Sequence, residues 1–477
     1  MLESNVHPDF LAQLKQLLPE AEIASFLDTC HRPLKKSISV DPTRRTPALH
    51  ELVTSRGWKL KQTPFTENAD TYRIDREDTS IALGNTALHQ FGFFYMQEVA
   101  ASIPAQIIPA EPGSLVLDMC AAPGGKTTQI AQKLMPVWGL VVANDVNPKR
   151  VTTLAHNVNK WRCYNSVVTQ VNGGMFGNHL PDTFDHVLLD GPCSGEGTGF
   201  KSDVAMQFRH QAEINRIAGT QLQLLISSIK ATKPGGTIIY STCTLNPREN
   251  EWTLAKALAF FGDSVELIDH GLHQVAPGVS RQDTEWSFDQ TDKCARFWPH
   301  LQGTGGFFVS RLRKKYSRDT KSATQQKLMP KNQFSVDHSQ GLQNRVNTFL
   351  KENYGIIMPT DRYLRIATKT HICLTAPSFL KLAPLLQCEK VGIPVLKLER
   401  EGWRPTHYLW LLLGDLATHN TITVDDAAIQ DYAQGKDIAC PADYAKNSES
   451  NPILMRRGYG MSVTKLVDGM LKNKMGR

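Results

Sequence analysis

The chain has 477 residues, which at about 150 residues per domain predicts roughly three domains. Lysine plus arginine total 53 against 46 aspartate plus glutamate, and this net charge of +7 permits nucleic-acid binding without demonstrating it. A hydrophobic content of 41 % excludes a largely disordered chain, and nine scattered cysteines with no C-x-x-C pair argue against a disulfide framework or a structural zinc site.

At the start of the chain, Phe10, Leu11, Leu14, Leu17 and Leu18 recur at helical spacing, and Ile23, Phe26 and Leu27 continue a second amphipathic helix after Pro19. A basic, turn-rich stretch follows with Arg32, Lys35, Lys36, Arg44 and Arg45, and Ser37–Val40 alternates as a strand does. Taken alone, such charges read as a solvated face. From Ser114 to about Lys315 strands and helices alternate. Leu115–Asp118 is a strand entering a Gly-rich turn, a helix from Thr127 carries Ile130, Ala131 and Leu134, and Leu140–Ala143 is the next strand, ending at Asn144-Asp145. Val151, Leu154, Ala155 and Val158 mark one helix face, a long helix is expected from about Ala212 to Thr232, and further strands run at Val187–Asp190 and Thr237–Tyr240. This order predicts a doubly wound, mostly parallel α/β sheet, whose ligands bind at the carboxyl ends of the strands.

Arg311–Lys331, with eight Lys or Arg against the single Asp319, reads as a linker. Beyond it, apolar strings such as Tyr363–Ile366 and Pro394–Leu398 alternate with Gly, Pro and Asp turns, as in a small β-rich unit, and the chain ends in a basic tail from Met455. Apolar runs such as Tyr408–Leu413 fall well short of the roughly 18 residues of a spanning helix. The first ten residues lack a basic region followed by an apolar one. The expectation is a cytoplasmic protein with no membrane partner.

Three motifs sit at strand ends. In Asp118–Thr127 (DMCAAPGGKT), small residues let the backbone approach a ligand and leave helix N–H groups pointing at it. A Walker A loop would need glycine where Cys120 stands, and a G-x-G-x-x-G dinucleotide loop is absent. A loop around the methionine moiety of S-adenosylmethionine fits better, with Cys120, Ala121, Ala122, Pro123, Gly124, Gly125 and Lys126 against it. Asp145, at the next strand end, is placed to hold ribose hydroxyls. The second motif is Leu189–Gly195 (LDGPCSG) and the third Tyr240–Asn250 (YSTCTLNPREN); each sets a cysteine just past a strand. A lone free cysteine is commonly a small buried hydrophobe. Two at strand ends on one sheet edge, one of them three residues from Asp190, point instead to thiolate chemistry on an electron-poor carbon.

These strings resemble the RNA 5-methylcytosine methyltransferases of the Sun/Fmu type. Gly92–Glu98 resembles the segment leading into their catalytic domain and Gly306–Val309 its final strand, so that four motifs stand in the right order over about 90–315. The long extension ending in Lys465–Gly469 is similar to that of a bacterial small-subunit ribosomal RNA branch, where it carries a PUA-like RNA-binding domain.

The resemblance implies a Rossmann-like S-adenosylmethionine-dependent domain at 101–316, preceded by an N-terminal α/β RNA-binding region at 1–100. A linker and middle domain would follow at 317–385 and a β-rich PUA-like domain at 386–477. It implies Cys243 as nucleophile, Cys193 in release, Asp190 on the cytosine edge near N3 and Lys126 beside Asp190. Asn172 would stand where the family usually has an Asp near the adenine. Carbon 5 of cytosine is too weak a nucleophile to be methylated directly; a thiolate on carbon 6 makes it enamine-like. The cytosine must be unstacked for that attack. The expected substrate is small-subunit ribosomal RNA, met by a monomer without a metal. The basic segments Arg32–Arg45 and Arg311–Lys331 and the tail from Arg456 would then contact phosphates. Alternatives are a transfer RNA substrate, or an RNA-binding assembly factor that has lost catalysis.

Overall fold

The computed structural model describes residues 6–41, 53, 56–67, 70–135, 138–201, 210–282, 286–317, 337–359, 362–400, 402–444, 452–456 and 458–474. Arg44, Arg45 and residues 318–331 of the basic segment lie outside the described residues. Helices α1 (Pro8–Leu17) and α2 (Glu20–Cys30) open the fold. Their apolar faces (Phe10, Leu14, Phe26, Leu27) form one cluster with Leu245 and Trp298 of the central domain, so this pair sits two residues beyond Cys243. Ser37–Val40 is strand β1 as expected, and β2 (Lys59–Gln62), β3 (Thr71–Asp75) and β4 (Phe94–Met96) join it in a four-stranded sheet ordered β2-β3-β1-β4.

The central domain is built on β5 (Leu115–Asp118), β6 (Leu140–Asn144), β7 (Ser166–Thr169), β8 (Phe184–Asp190) and β9 (Thr232–Thr242). They run parallel in the order β7-β6-β5-β8-β9. Further antiparallel strands extend the sheet beyond β9: β10 (Val265–Ile268), β11 (Ala276–Pro277), β12 (Cys294–Phe297) and β13 (Phe307–Lys314). The sheet is buried on both faces, as the near-continuous apolar strands require. Leu117, Val142, Val187 and Ile238 point to one side, and Val116, Val141, Leu188 and Ile239 to the other. Helices α3 (Val99–Ile107), α4 (Gly125–Leu134) and α5 (Pro148–Lys160) cover the second face. Helices α6 (Gln211–Ala231) and α7 (Glu251–Phe261) cover the first. After β7 the chain returns to the other side of β5, so the crevice lies between the carboxyl ends of β5 and β8, at Asp118 and Asp190.

The linker reading of 311–331 needs correcting at its start. Arg311–Lys314 complete β13, paired with both β9 and β10, and Lys314 is buried with its ammonium 2.6 Å from Asp182. The 385/386 boundary falls within a single sheet, since β14 (Leu364–Ala367), β15 (His371–Thr375), β17 (Ile393–Glu399) and β18 (Gly402–Pro405) pair in sequence. Between β15 and β17, the two-residue strand β16 (Lys390–Val391) pairs with β7 and so continues the central sheet. The last sheet, of five strands between Thr421 and Asn473, shares one apolar cluster with the N-terminal sheet: Ile38, Val40 and Phe94 pack with Ile422, Tyr432 and Leu471. Among the described residues no helix is long and apolar enough to cross a membrane.

Candidate active site

The loop after β5 is held at both ends by backbone bonds: Met119 N–H to the Leu188 carbonyl at 2.9 Å and Ala121 N–H to the Asn144 carbonyl at 2.7 Å. The Asn144 amide braces it further, donating to the Met119 and Val171 carbonyls at 3.1 and 2.9 Å. Gly124, at φ +109°, turns the chain so that α4 starts at Gly125, two residues earlier than the apolar periodicity suggests. Gly125 packs closely under Tyr95 and Gln97; a Cβ there would lie 3.1 Å from Tyr95 Cε1. A cavity of about 240 Å³ opens between this loop and the segment Tyr95–Glu98, with Asp118, Lys126 and Asp190 in its wall.

Asp118 is buried at the cavity, and its Oδ2 accepts from Thr127 Oγ1 at 2.6 Å while its Oδ1 is buried without a hydrogen-bond partner. Burial pushes its carboxyl up to about 7, against the opposing pull of Thr127 and Lys126. An unsatisfied buried acceptor costs about 1–3 kcal/mol, and a buried carboxylate beside a cavity suits an ammonium group. Asp145 is already engaged, accepting from Ala122 N–H at 3.3 Å and Asn147 N–H at 3.0 Å and pairing with Arg150 at 3.3 Å. Exposed Asn172 caps the turn after β7, its Oδ1 accepting from Gly174 N–H at 2.9 Å. Cys120 lines the cavity, and burial holds its thiol well above the ordinary range.

Lys126 and Asp190 face each other at 2.6 Å, and Ser241 Oγ donates to the other Asp190 oxygen at 2.8 Å. Burial lowers the Lys126 ammonium, but Asp190 first, then Asp118 and Cys243, more than reverse this and raise it above its ordinary value. The lysine is therefore a fixed positive charge.

The two motif cysteines meet, Cys193 Sγ to Cys243 Sγ at 3.2 Å, both as free thiols. Cys193 is raised well above the ordinary thiol range by its hydrogen bond to Cys243, by burial and by nearby negative groups including Glu249 and Asp190. Glu196, buried one loop further on, is pushed up to about 7 chiefly by burial, and accepts from Asn246 at 3.1 Å and from Gln13 of α1 at 2.8 Å.

Every expected catalytic residue converges here: Cys243, Cys193, Asp190 and Lys126. Tyr95, Gln97, Glu98, Ser241 and Glu249 carried no assigned role, although each lies inside a quoted motif; Gln13 had no signal at all. Among the expected phosphate contacts, Arg32, Lys35 and Lys36 are exposed. Buried Lys314 does not face solvent, and Arg456 is bound to Asp426, its Nε 2.7 Å from the carboxylate. No group of three or more His, Cys, Asp or Glu among the described residues could hold a metal.

Residues 105–313 match a family described as "16S rRNA methyltransferase RsmB/F", and residues 7–99 match the "N-terminal domain of 16S rRNA methyltransferase RsmF". Proteins called ribosomal RNA small subunit methyltransferase F from Vibrio vulnificus and Aeromonas salmonicida are 32 % and 31 % identical, over 100 % of this chain and 98 % of theirs. A methyltransferase homolog from Pyrococcus horikoshii, solved as a crystal structure, is 26 % identical with a TM-score of 0.55, covering 65 % of this chain and 100 % of that one. NSun6 from the same organism, crystallised with SFG, shares the fold at 20 % identity and a TM-score of 0.55, over 65 % of this chain and 99 % of its own.

Proposed function

This chain belongs to the 16S rRNA methyltransferase RsmB/F family, and from that premise we propose a covalent route by which its residues methylate carbon 5 of a cytosine in small-subunit ribosomal RNA. The observation that carries the proposal is the pair of free thiols 3.2 Å apart beside the Lys126–Asp190 pair.

S-Adenosylmethionine, the family's cofactor, supplies an electrophilic methyl group. The cavity fits it by its chemistry: the orphaned Asp118 Oδ1 is a partner for the ammonium, and Cys120, Ala121, Ala122, Pro123 and Gly125 lie along its wall. Asp145 would hold the ribose, and Asn172 would approach the adenine through the lone pair its cap leaves free.

Cys243 acts as nucleophile, adding to carbon 6 of an unstacked cytosine. The resemblance assigns this role to Cys243 rather than Cys193, and one feature of the site supports it. The Lys126 charge is coupled to Cys243, and a neighbouring cation favours the thiolate. Asp190, fixed by Lys126 and Ser241, meets the cytosine edge near N3 and supports protonation there as the thiolate adds. Carbon 5 then takes the methyl group as the bond from that methyl to the sulfonium sulfur breaks, its electron pair staying on sulfur. For release, Cys193 as the thiolate takes the C5 proton, the C5–H electrons remake the C5–C6 double bond, and the C6–S electrons return to Cys243.

RNA binding is assigned to 1–100, where Arg32, Lys35 and Lys36 are exposed, and to a PUA-like unit within 386–477, around the catalytic 101–316; the sheet that spans the 385/386 boundary connects the two. The chain is taken to act as a monomer, and the ribosomal substrate supports a cytoplasmic location.

The test offers methyl-labelled S-adenosylmethionine with small ribosomal subunits, their extracted RNA, or bulk transfer RNA, followed by digestion to nucleosides. Label in 5-methylcytidine from ribosomal material is expected. Label from transfer RNA alone would move the substrate, and salt-sensitive RNA binding without label would leave a binding factor. Cys193→Ala is expected to leave protein covalently trapped on RNA and Cys243→Ala to abolish both trapping and turnover; the opposite pattern reverses the roles.

A further inference from the structure

The cysteine-bearing loops follow different strands, β8 and β9, and the backbone ties them at Gly191 N–H to the Ser241 carbonyl, 3.1 Å, and Gly197 N–H to the Cys243 carbonyl, 2.9 Å. Between these ties lies one fully buried carboxylate, Glu249, just before α7. Its Oε2 accepts from the Ser194 backbone N–H at 2.9 Å and from Gln221 at 3.1 Å; its Oε1 accepts from Ser194 Oγ at 2.5 Å and Thr244 Oγ1 at 3.2 Å. Ser194 follows Cys193 and Thr244 follows Cys243 in the chain, and their hydroxyls meet at 2.7 Å. Gln221 also donates to the Pro192 carbonyl at 2.8 Å, so the residues flanking Cys193 on both sides are gripped through this carboxylate. Its backbone is held in turn, the Glu249 carbonyl accepting from the Tyr240 hydroxyl.

We propose that Glu249 is a positioning residue for the methyl transfer, clamping the Cys193 loop against the Cys243 loop so that release of the product keeps pace with adduct formation. The inference rests on the two-cysteine route above. The grip is lopsided: the Cys193 side receives two bonds to Ser194 and one relayed through Gln221, the Cys243 side one bond at 3.2 Å. Cys243 also keeps independent support, because Asn250 donates to the Thr244 carbonyl at 3.1 Å and Thr242 donates to Asn250 at 2.6 Å. Loss of the carboxylate therefore loosens Cys193 first, and the step that suffers is release. Burial raises the Glu249 carboxyl, and the donors from Ser194, Gln221 and Thr244 oppose that rise, as expected of a charge kept for its contacts.

Glu249→Ala should accumulate protein–RNA adduct, as Cys193→Ala does. Its kcat should fall by about 100-fold, the scale of a misplacement near 1 Å, with KM for RNA and affinity for S-adenosylmethionine within about threefold. Glu249→Gln should restore turnover to within about tenfold of the parent, because its amide oxygen still accepts from the two N–H donors while its NH₂ faces two hydroxyls able to accept. Where Glu249→Ala fails to fold, Glu249→Asp, which retracts the charge by one methylene, carries the same adduct measurement. A folded Glu249→Ala or Glu249→Asp with no adduct and unchanged kcat overturns the proposal, as does a loss of kcat accompanied by equal loss of cofactor affinity. If Cys193→Ala itself traps no adduct, the two-cysteine route fails, and that result is distinguishable from failure of the clamp alone.

Discussion

A carboxylate sealed at the end of a buried strand ionises readily only when a cation meets it. Asp118 stands near 7 because of burial, so in the free protein it takes up a proton that the unfolded chain, near its ordinary value of 3.8, would not hold until lower pH. Between those values the folded state binds more protons, so the Asp118 contribution to stability declines as pH rises and its cost is complete above about 7. A bound ammonium favours the ionised form, which gives cofactor binding the opposite slope. Affinity for S-adenosylmethionine should weaken by up to about tenfold per unit as pH falls below 7, with proton release visible by calorimetry in buffers of different ionisation enthalpy. Asp118→Asn should melt higher than the parent at pH 8 without cofactor, yet bind the cofactor roughly 10–100-fold more weakly. The pairing of Lys126 with Asp190 was legible only through the family resemblance. The link from Gln13 to Glu196 was not, because a contact spanning most of a domain leaves no local pattern.

At the scale of elements, β7 was not read and β8 and β9 begin earlier than expected, while β5, β6 and the long helix α6 could be read almost to the residue, since apolar runs bounded by turns carry the period of a two-sided sheet. Strand β16 could not. It is two residues long, too short for any periodicity, yet it seats the middle sheet on the central one through Glu389 N–H to the Val168 carbonyl at 2.8 Å and Gly392 N–H to the Ser166 carbonyl at 2.9 Å. Gly392 ends it at φ +57°, where an added Cβ would lie 2.0 Å from the Leu374 carbonyl oxygen. Gly392→Ala should therefore cost at least about 1–3 kcal/mol, combining backbone strain with displacement of a strand. Thermal unfolding followed by hydrogen exchange should show β15–β17 losing protection before β5 and β8. Uniform loss across all strands would mean that the middle sheet has no separate attachment there.

Across the whole molecule, the two chain ends share a core. Gln430 receives the Ala87 N–H at 2.9 Å and donates to the Asn85 carbonyl at 3.0 Å, and Phe93 packs edge-on to Tyr459 with centroids 5.2 Å apart. Composition predicted several domains but could not show that the first and last of them complete each other, since pairing between distant amphipathic faces has no sequence period. Removing residues 418–477 should uncover Ile38, Val40 and Phe94, at about 1.5–3 kcal/mol for each side chain so exposed. Limited proteolysis is then expected to cut within 37–96 while the central sheet stays resistant; an intact N-terminal sheet would show that it stands alone.

The shared core also bears on time. On the ribosome the strands β1–β4 emerge well before their partners at Ile422, Tyr432 and Leu471, with the whole catalytic domain synthesised in between. At about 5–20 residues per second, the apolar face of the N-terminal sheet waits tens of seconds for its cover. A nascent chain of this protein thus carries a sticky, unfinished surface through most of its own translation, and only the complete polypeptide can close it.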